Sequence, residues 1–216
     1  MNLPIALTLC RIVLVPLIIV FLISSSRVHA LIAAVIFIAA SLTDWLDGRM
    51  ARRWNQVTRL GTLLDPVADK LLVAAALVAL VQVDMIDAWI AVVIIGRELA
   101  VTGLRGAALS TGIVMPASPL GKAKTVSQYV ALTILILEKG VPDDFVRSHL
   151  LSISRFIRVS LEWGFVPDDF VRFHLLSMAV LWVALGLTVL SGADYFYRFF
   201  LRAGAKVLVK DRERWP

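Results

Sequence analysis

Apolar residues in this chain occur in runs rather than in alternation. The runs 5–23, 30–47, 66–83, 88–109, 123–137 and 175–199 consist mostly of Leu, Ile, Val, Ala and Phe, and charged residues collect at their ends. A bilayer crossing takes about 20 mainly apolar residues. In lipid a helix satisfies its own backbone, whereas an open sheet edge does not, and strand-like alternation is absent. The pattern predicts an all-α, polytopic membrane protein with six transmembrane helices. The fifth run is short, so its helix is expected to begin in the interface. Residues 1–216 read as a single membrane-embedded domain.

The connections orient these runs. Arg49, Arg52, Arg53 and Arg59 flank one of them, Arg105, Lys122 and Lys124 bracket another, and Lys206, Lys210, Arg212 and Arg214 mark the C-terminus. The opposite connections hold Arg27, then Asp84 and Asp87. Basic residues stay on the cytoplasmic side, so both termini and the Arg-rich loops are expected there. The third opposite-side connection, 139–174, is unusual. VPDDFVRSHLLS at 141–152 returns as VPDDFVRFHLLS at 166–177, an offset of 25 residues. Each Pro-Asp-Asp reads as a helix start, with a carboxylate at the positive helix end. Between the copies, Phe156, Ile157, Val159, Leu161 and Trp163 beside Arg155 and Arg158 suggest a short interfacial helix. A tandem duplication without a function of its own accounts for the same pattern and is preferred.

Composition narrows the class. The chain is 59% hydrophobic and 18% charged, against about a quarter charged in soluble domains. Its net charge of +6 sits at the ends of apolar runs, where anionic headgroups lie, rather than on a solvated face with aromatic platforms. No nucleic-acid partner is expected. Cys10, the one cysteine, excludes an intrachain disulfide and a cysteine-rich metal site. Arg11 interrupts the first run and no small-residue cleavage site follows, so that run reads as a retained span. His29, His149 and His174 show no ligand spacing and are taken as surface residues. Trp45, Trp54, Trp89 and Trp163 suit interfacial belts.

The chemistry concentrates in DWLDGRMARRWNQVTRLGTLLDPVADK, residues 44–70. Asp44 and Asp47, three apart, share a helix face, as do Asp65 and Asp69, four apart. A connection through Gly61 is expected to make the two helices antiparallel neighbours, so that four carboxylates converge. Each costs on the order of 3 kcal/mol at mid-bilayer, less near the interface, and together they repel. Oxygen-rich acidic clusters suit hard cations, here two ions of Mg²⁺ or Mn²⁺. Two such ions can clamp a phosphoryl group during in-line attack. Helix caps and ion pairs to the nearby arginines would explain any one of these aspartates, but explain four at these spacings less well.

D-x-x-D-G-x-x-A-R, eight residues, then G-x-x-x-D-x-x-x-D resembles the signature of the CDP-alcohol phosphotransferases. Its fixed positions are Asp44, Asp47, Gly48, Ala51, Arg52, Gly61, Asp65 and Asp69. Eight specified positions recur by chance on the order of once in 10¹⁰ placements. The resemblance implies a six-helix membrane fold, usually a homodimer, acting on a CDP-activated lipid at the cytoplasmic face of the bilayer. It assigns Asp44, Asp47, Asp65 and Asp69 to a two-metal site and Asp69 additionally to general-base catalysis. Gly48, Ala51, Arg52, Thr58 and Gly61 fall to the CDP-lipid, as do Asn2, Thr8 and Arg11 near the first helix.

Over roughly residues 2–133, NLPIALTLCRI, Arg97-Glu98, Leu104-Arg105 and GKAKT are also similar to the bacterial phosphatidylglycerophosphate synthase branch of that family. This implies CDP-diacylglycerol as donor, glycerol 3-phosphate as acceptor, and the bacterial inner membrane as location. The charges agree. Arg97 and Arg105 lie eight apart, about two turns, and can face inward together; Lys122 and Lys124 open the next helix. All four are candidates for the acceptor phosphate, with Glu98 a structural ion-pair partner. For Lys122 or Lys124 alone, snorkelling to headgroups is the competing reading. Sibling acceptors (inositol phosphate, serine, or phosphatidylglycerol as in a cardiolipin synthase) remain alternatives. A divalent-cation transporter ranks lower, since it would place its acidic site near mid-membrane, often between inverted repeats.

Overall fold

The computed structural model describes the backbone of residues 3–53, 59–113, 115–116, 118–140 and 169–212, and the side chains of 8–43, 66–113, 115–116, 118–140 and 174–202. These residues form six helices and no strand: α1 (Leu3–Ile23), α2 (Arg27–Arg53), α3 (Arg59–Gln82), α4 (Ala88–Ser110), α5 (Pro119–Gly140) and α6 (Asp169–Arg212). Each apolar run became a helix. α1 and α4 match their runs closely, whereas α2 continues past its run, α3 begins well before its own, and α6 extends beyond its run at both ends. An apolar run marks only the segment that avoids water; backbone hydrogen bonding carries the helix on into polar sequence until a turn stops it. α5 starts before its run, at Pro119, where a missing N–H costs nothing. α6 is described from Asp169, the last residue of the second Pro-Asp-Asp; the residues before it lie outside the described ones. The first copy and 153–163 lie outside the described residues.

The helix ends are closed by recognisable chemistry. At the end of α3, the amides of Asp84 and Met85 bond to the carbonyls of Val81 and Leu80, both at 3.0 Å. Asp84 takes the left-handed conformation (φ 56°) that this closure demands. α4 ends the same way, with Gly112 (φ 71°) in that position and Ile113 N bonded to Ala108 O at 2.8 Å.

Packing follows the apolar stripes. Ile18 and Leu22 of α1, Phe37 of α2, Leu72, Leu77 and Leu80 of α3, Ile94 of α4, Leu132, Leu135 and Ile136 of α5, and Leu181 of α6 fill one continuous buried core. Alanines 33, 34, 76, 79, 131 and 184 in that core let the backbones approach closely. α1 packs on α2 and α3, α5 on α2, α3 and α6, and α4 on α3 and α6. Among the described residues α1 and α5 each lie against both α2 and α3; the connection expected to make α2 and α3 neighbours lies outside the described residues. Gly140, at the end of α5, meets α2 so tightly that an added Cβ would sit 2.8 Å from the Leu31 side chain and 3.0 Å from its backbone nitrogen.

The outer surface is strongly apolar, with Val13, Val20, Val35, Val92, Val126 and Phe200 all exposed. Among the described residues one helix segment, His174–Arg202, is long and apolar enough to cross a membrane; Thr8–Ile23 and Arg27–Thr43 are shorter apolar segments. Trp89 and Trp182 are exposed and pack ring to ring at 5.6 Å. Two histidines expected at the surface are part-exposed and also have partners. His29 Nδ1 lies 2.7 Å from Ser24 Oγ, and His174 Nδ1 lies 2.7 Å from the carboxylate of buried Glu138, which also accepts from Ser177. His149 lies outside the described residues. A buried carboxylate must be satisfied, and that need draws α6 onto α5 at the end of the bundle remote from Asp69.

Candidate active site

A cavity of about 650 Å³ opens where the first half of α3, the middle of α4, the start of α5 and the middle of α6 meet. α4 contributes Arg97, Glu98, Val101, Thr102 and Arg105 to its wall, the stripe that a 3.6-residue repeat places on one side. The expectation that Arg97 and Arg105 face inward together holds. α3 adds Asp69 and Lys70, α5 adds Lys122 and Lys124, and α6 adds Tyr195. Among the described residues the lining thus carries five cationic side chains (Lys70, Arg97, Arg105, Lys122, Lys124) against two carboxylates (Asp69, Glu98). That balance favours a multiply charged anion.

The cations differ in how they are held. Lys124 is buried, with its ammonium on Glu98. Arg97 Nη1 donates to the same Glu98 oxygen at 3.1 Å, so Glu98 is the ion-pair partner expected of it, for two cations rather than one. Arg97 Nη2 donates to Ser191 Oγ at 2.6 Å. Arg105 donates to the hydroxyl of Tyr195, and its Cζ lies 4.7 Å from the centre of that ring. Lys122 is exposed at the rim. Lys70 Nζ turns back to the carbonyl of Pro66 at 3.1 Å. Lys124 and Arg97 thus share the single negative charge of Glu98, and Lys124 is the more deeply buried of the two.

Asp69 is half-buried, and its Oδ1 accepts a hydrogen bond from Tyr129. Behind it a void of about 30 Å³, bordered by Lys124, Gln128 and Tyr129, is large enough for one water molecule. Of the four aspartates read as a cation site, Asp69 is the one whose side chain is described. Asp44 and Asp47 occupy the last turns of α2, with Gly48, Ala51 and Arg52 after them, and Gly61 and Asp65 lie on α3 ahead of Asp69. The side chains of these residues, and Asn2 and Thr58 altogether, lie outside the described residues. Thr8 and Arg11 are buried on α1 and do not line this cavity.

Sequence reasoning missed Tyr129, Ser191 and Tyr195. Each lies in an otherwise apolar run, and its partner is distant in sequence: 60 residues for Tyr129 and Asp69, 94 for Ser191 and Arg97, 90 for Tyr195 and Arg105. A polar side chain in a span is a signal in its own right, and these three carried it.

Residues 1–190 match the CDP-alcohol phosphatidyltransferase family. A Bacillus subtilis (strain 168) protein described as CDP-diacylglycerol–glycerol-3-phosphate 3-phosphatidyltransferase is 41% identical over 207 residues, covering 90% of this chain and 93% of its own length. A Rickettsia bellii protein of the same description is 35% identical over 196 residues, covering 90% of this chain and 93% of its own length. One from Salmonella choleraesuis is 43% identical over 145 residues, covering 65% of this chain and 79% of its own length.

Proposed function

We infer the reaction from one premise: the chain belongs to the CDP-alcohol phosphatidyltransferase family. It is a membrane enzyme of phospholipid synthesis that transfers a phosphatidyl group from CDP-diacylglycerol to glycerol 3-phosphate, giving phosphatidylglycerophosphate and CMP. The observation that carries this choice of acceptor is the cationic cavity beside Asp69, where Arg97, Arg105 and Lys122 present charge that Glu98 does not fully offset. A phosphate dianion needs such a lining; serine, with no phosphate, does not.

In the reaction an acceptor hydroxyl oxygen attacks the phosphorus that bears the diacylglycerol, and the bond from that phosphorus to the CMP oxygen breaks. Asp69 is the group in reach of the acceptor: Tyr129 occupies Oδ1, which leaves Oδ2 to take the hydroxyl proton. Arg97, Arg105 and Lys122 hold the acceptor phosphate and so orient its hydroxyl toward Asp69. Arg52, with Gly48, Ala51, Thr58 and Gly61 around it and Asn2, Thr8 and Arg11 of the N-terminal segment, receives the CDP moiety.

The family depends on divalent metal. An oxygen-only donor set of Asp44, Asp47, Asp65 and Asp69 suits two Mg²⁺ or Mn²⁺ ions, with Asp69 able to contribute Oδ1, the oxygen beside Tyr129, and keep Oδ2 for the proton. When bound there, the ions neutralise charge on the diphosphate and polarise its phosphorus.

The same reading sets all six helices across a bacterial inner membrane, as a homodimer, with both termini and the cavity at the cytoplasmic face. The strongly apolar exposed surface and the basic loops support it.

The test is CMP release by purified protein in detergent with CDP-diacylglycerol and Mg²⁺, offering glycerol 3-phosphate, inositol phosphate, serine or phosphatidylglycerol. Release that requires glycerol 3-phosphate is expected. Release with another alcohol moves the acceptor assignment to that sibling, and none with any of them overturns the reading.

A further inference from the structure

Arg97 and Arg105 pose a physical problem that α4 cannot solve alone. Eight residues of helix separate their backbones by about 12 Å, and two long cationic side chains repel each other and sample many rotamers. A phosphate dianion binds well only where its guanidinium partners are already oriented. We propose that one face of α6, formed by Ser191, Gly192 and Tyr195, positions both guanidiniums and thereby makes the cavity selective for a phosphorylated acceptor. This rests on the assignment of the cavity to glycerol 3-phosphate.

Each of the three residues has a distinct job. Ser191 is fully buried and donates its own proton to Thr188 O at 3.1 Å. Its oxygen is thereby turned to accept from Arg97 Nη2 at 2.6 Å. Gly192 lets the Arg97 stem lie against the bare backbone of α6: an added Cβ would stand 3.1 Å from Arg97 Cγ. Tyr195, 3% exposed, accepts hydrogen bonds at its hydroxyl from Arg105 Nη2 and from the backbone N–H of Ser118, the latter at 3.0 Å. Its ring is close to both cations, its centre 4.7 Å from Arg105 Cζ and 5.9 Å from Arg97 Cζ. The negative face of an aromatic ring offsets their repulsion. Ser118 in turn accepts from Gly121 N–H at 3.1 Å, which ties the start of α5, and with it Lys122, to the same tyrosine.

These are positioning residues, and their loss is read as a split between the two substrates. Tyr195→Phe keeps the ring and removes the acceptor oxygen; Ser191→Ala removes the other. Each is expected to raise KM for glycerol 3-phosphate about tenfold, the worth of one hydrogen bond to a charged group. KM for CDP-diacylglycerol and kcat carry the smaller change. The inhibition constant of inorganic phosphate, competing with glycerol 3-phosphate, rises in parallel. Arg105→Ala is measured alongside. If Arg105→Ala raises that KM while Tyr195→Phe and Ser191→Ala leave it unchanged, or shift all constants alike, the role of α6 is overturned. If Arg105→Ala also leaves it unchanged, the assignment of the cavity to the acceptor fails instead. Should Tyr195→Phe not fold, Ser191→Ala decides the question by the same readout.

Discussion

Replacing Glu98 by glutamine tests the electrostatics of the cavity directly. Its carboxylate holds Arg97 at 3.1 Å and Lys124, and the three side chains are only 18%, 11% and 4% exposed. Glutamine keeps the shape and one acceptor oxygen but removes the charge, leaving the buried ammonium of Lys124 facing a neutral amide. Breaking a buried pair from one side costs about 3–5 kcal/mol. Since glutamine still accepts a hydrogen bond and the site is partly open, about 3 kcal/mol is expected. For a chain of this length each kcal/mol moves Tm by about 2–4 °C, so Glu98→Gln should lower Tm by roughly 6–12 °C in detergent. The partner change decides the cause. Lys124→Met in the Glu98→Gln background removes the orphaned charge and should recover about half of the loss. A double-mutant cycle then yields a coupling on the order of 1–3 kcal/mol. Strict additivity of the two changes, or a Tm shift under about 2 °C for Glu98→Gln alone, would refute the argument that Glu98 neutralises a buried ammonium.

Three further outcomes follow from single contacts. Asp69→Asn removes the proton acceptor while keeping the Tyr129 contact, and should cut CMP release by at least about 10²-fold with an unchanged circular dichroism spectrum; retained turnover would sink the general-base assignment. Gly140→Ala drives a methyl into Leu31 and should destabilise by about 1–3 kcal/mol, seen as a lower Tm with unaltered KM values. Asp84→Gly relieves a left-handed backbone at the end of α3 and should stabilise by about 0.5–1 kcal/mol; a loss of stability would show that the Asp84 side chain makes a contact worth more than the strain.

Much of this molecule was readable from short-range pattern. Six apolar runs became six helices because hydrophobic length and backbone self-satisfaction are local properties. Arg97 and Arg105 were placed together because a spacing of eight is set by one helix's own repeat. The aspartate spacings of three and four, and the glycines and Arg52 among them, carried the family resemblance for the same reason, and residues 1–190 match that family. Helix ends were less legible, since α2 ends and α3 begins within Arg-rich sequence, outside their apolar runs. What required the assembled bundle were the partnerships between helices. No periodicity could say that Tyr195 and Ser191, on the last helix, would grip arginines 90 and 94 residues earlier. Nor could it say that Lys124 would turn inward to Glu98 while Lys122 stayed at the rim, or that His174 would meet Glu138. Such choices depend on which faces of α4, α5 and α6 meet, and that is settled by packing the whole core at once. A buried charge then takes whatever partner the packing has brought within reach.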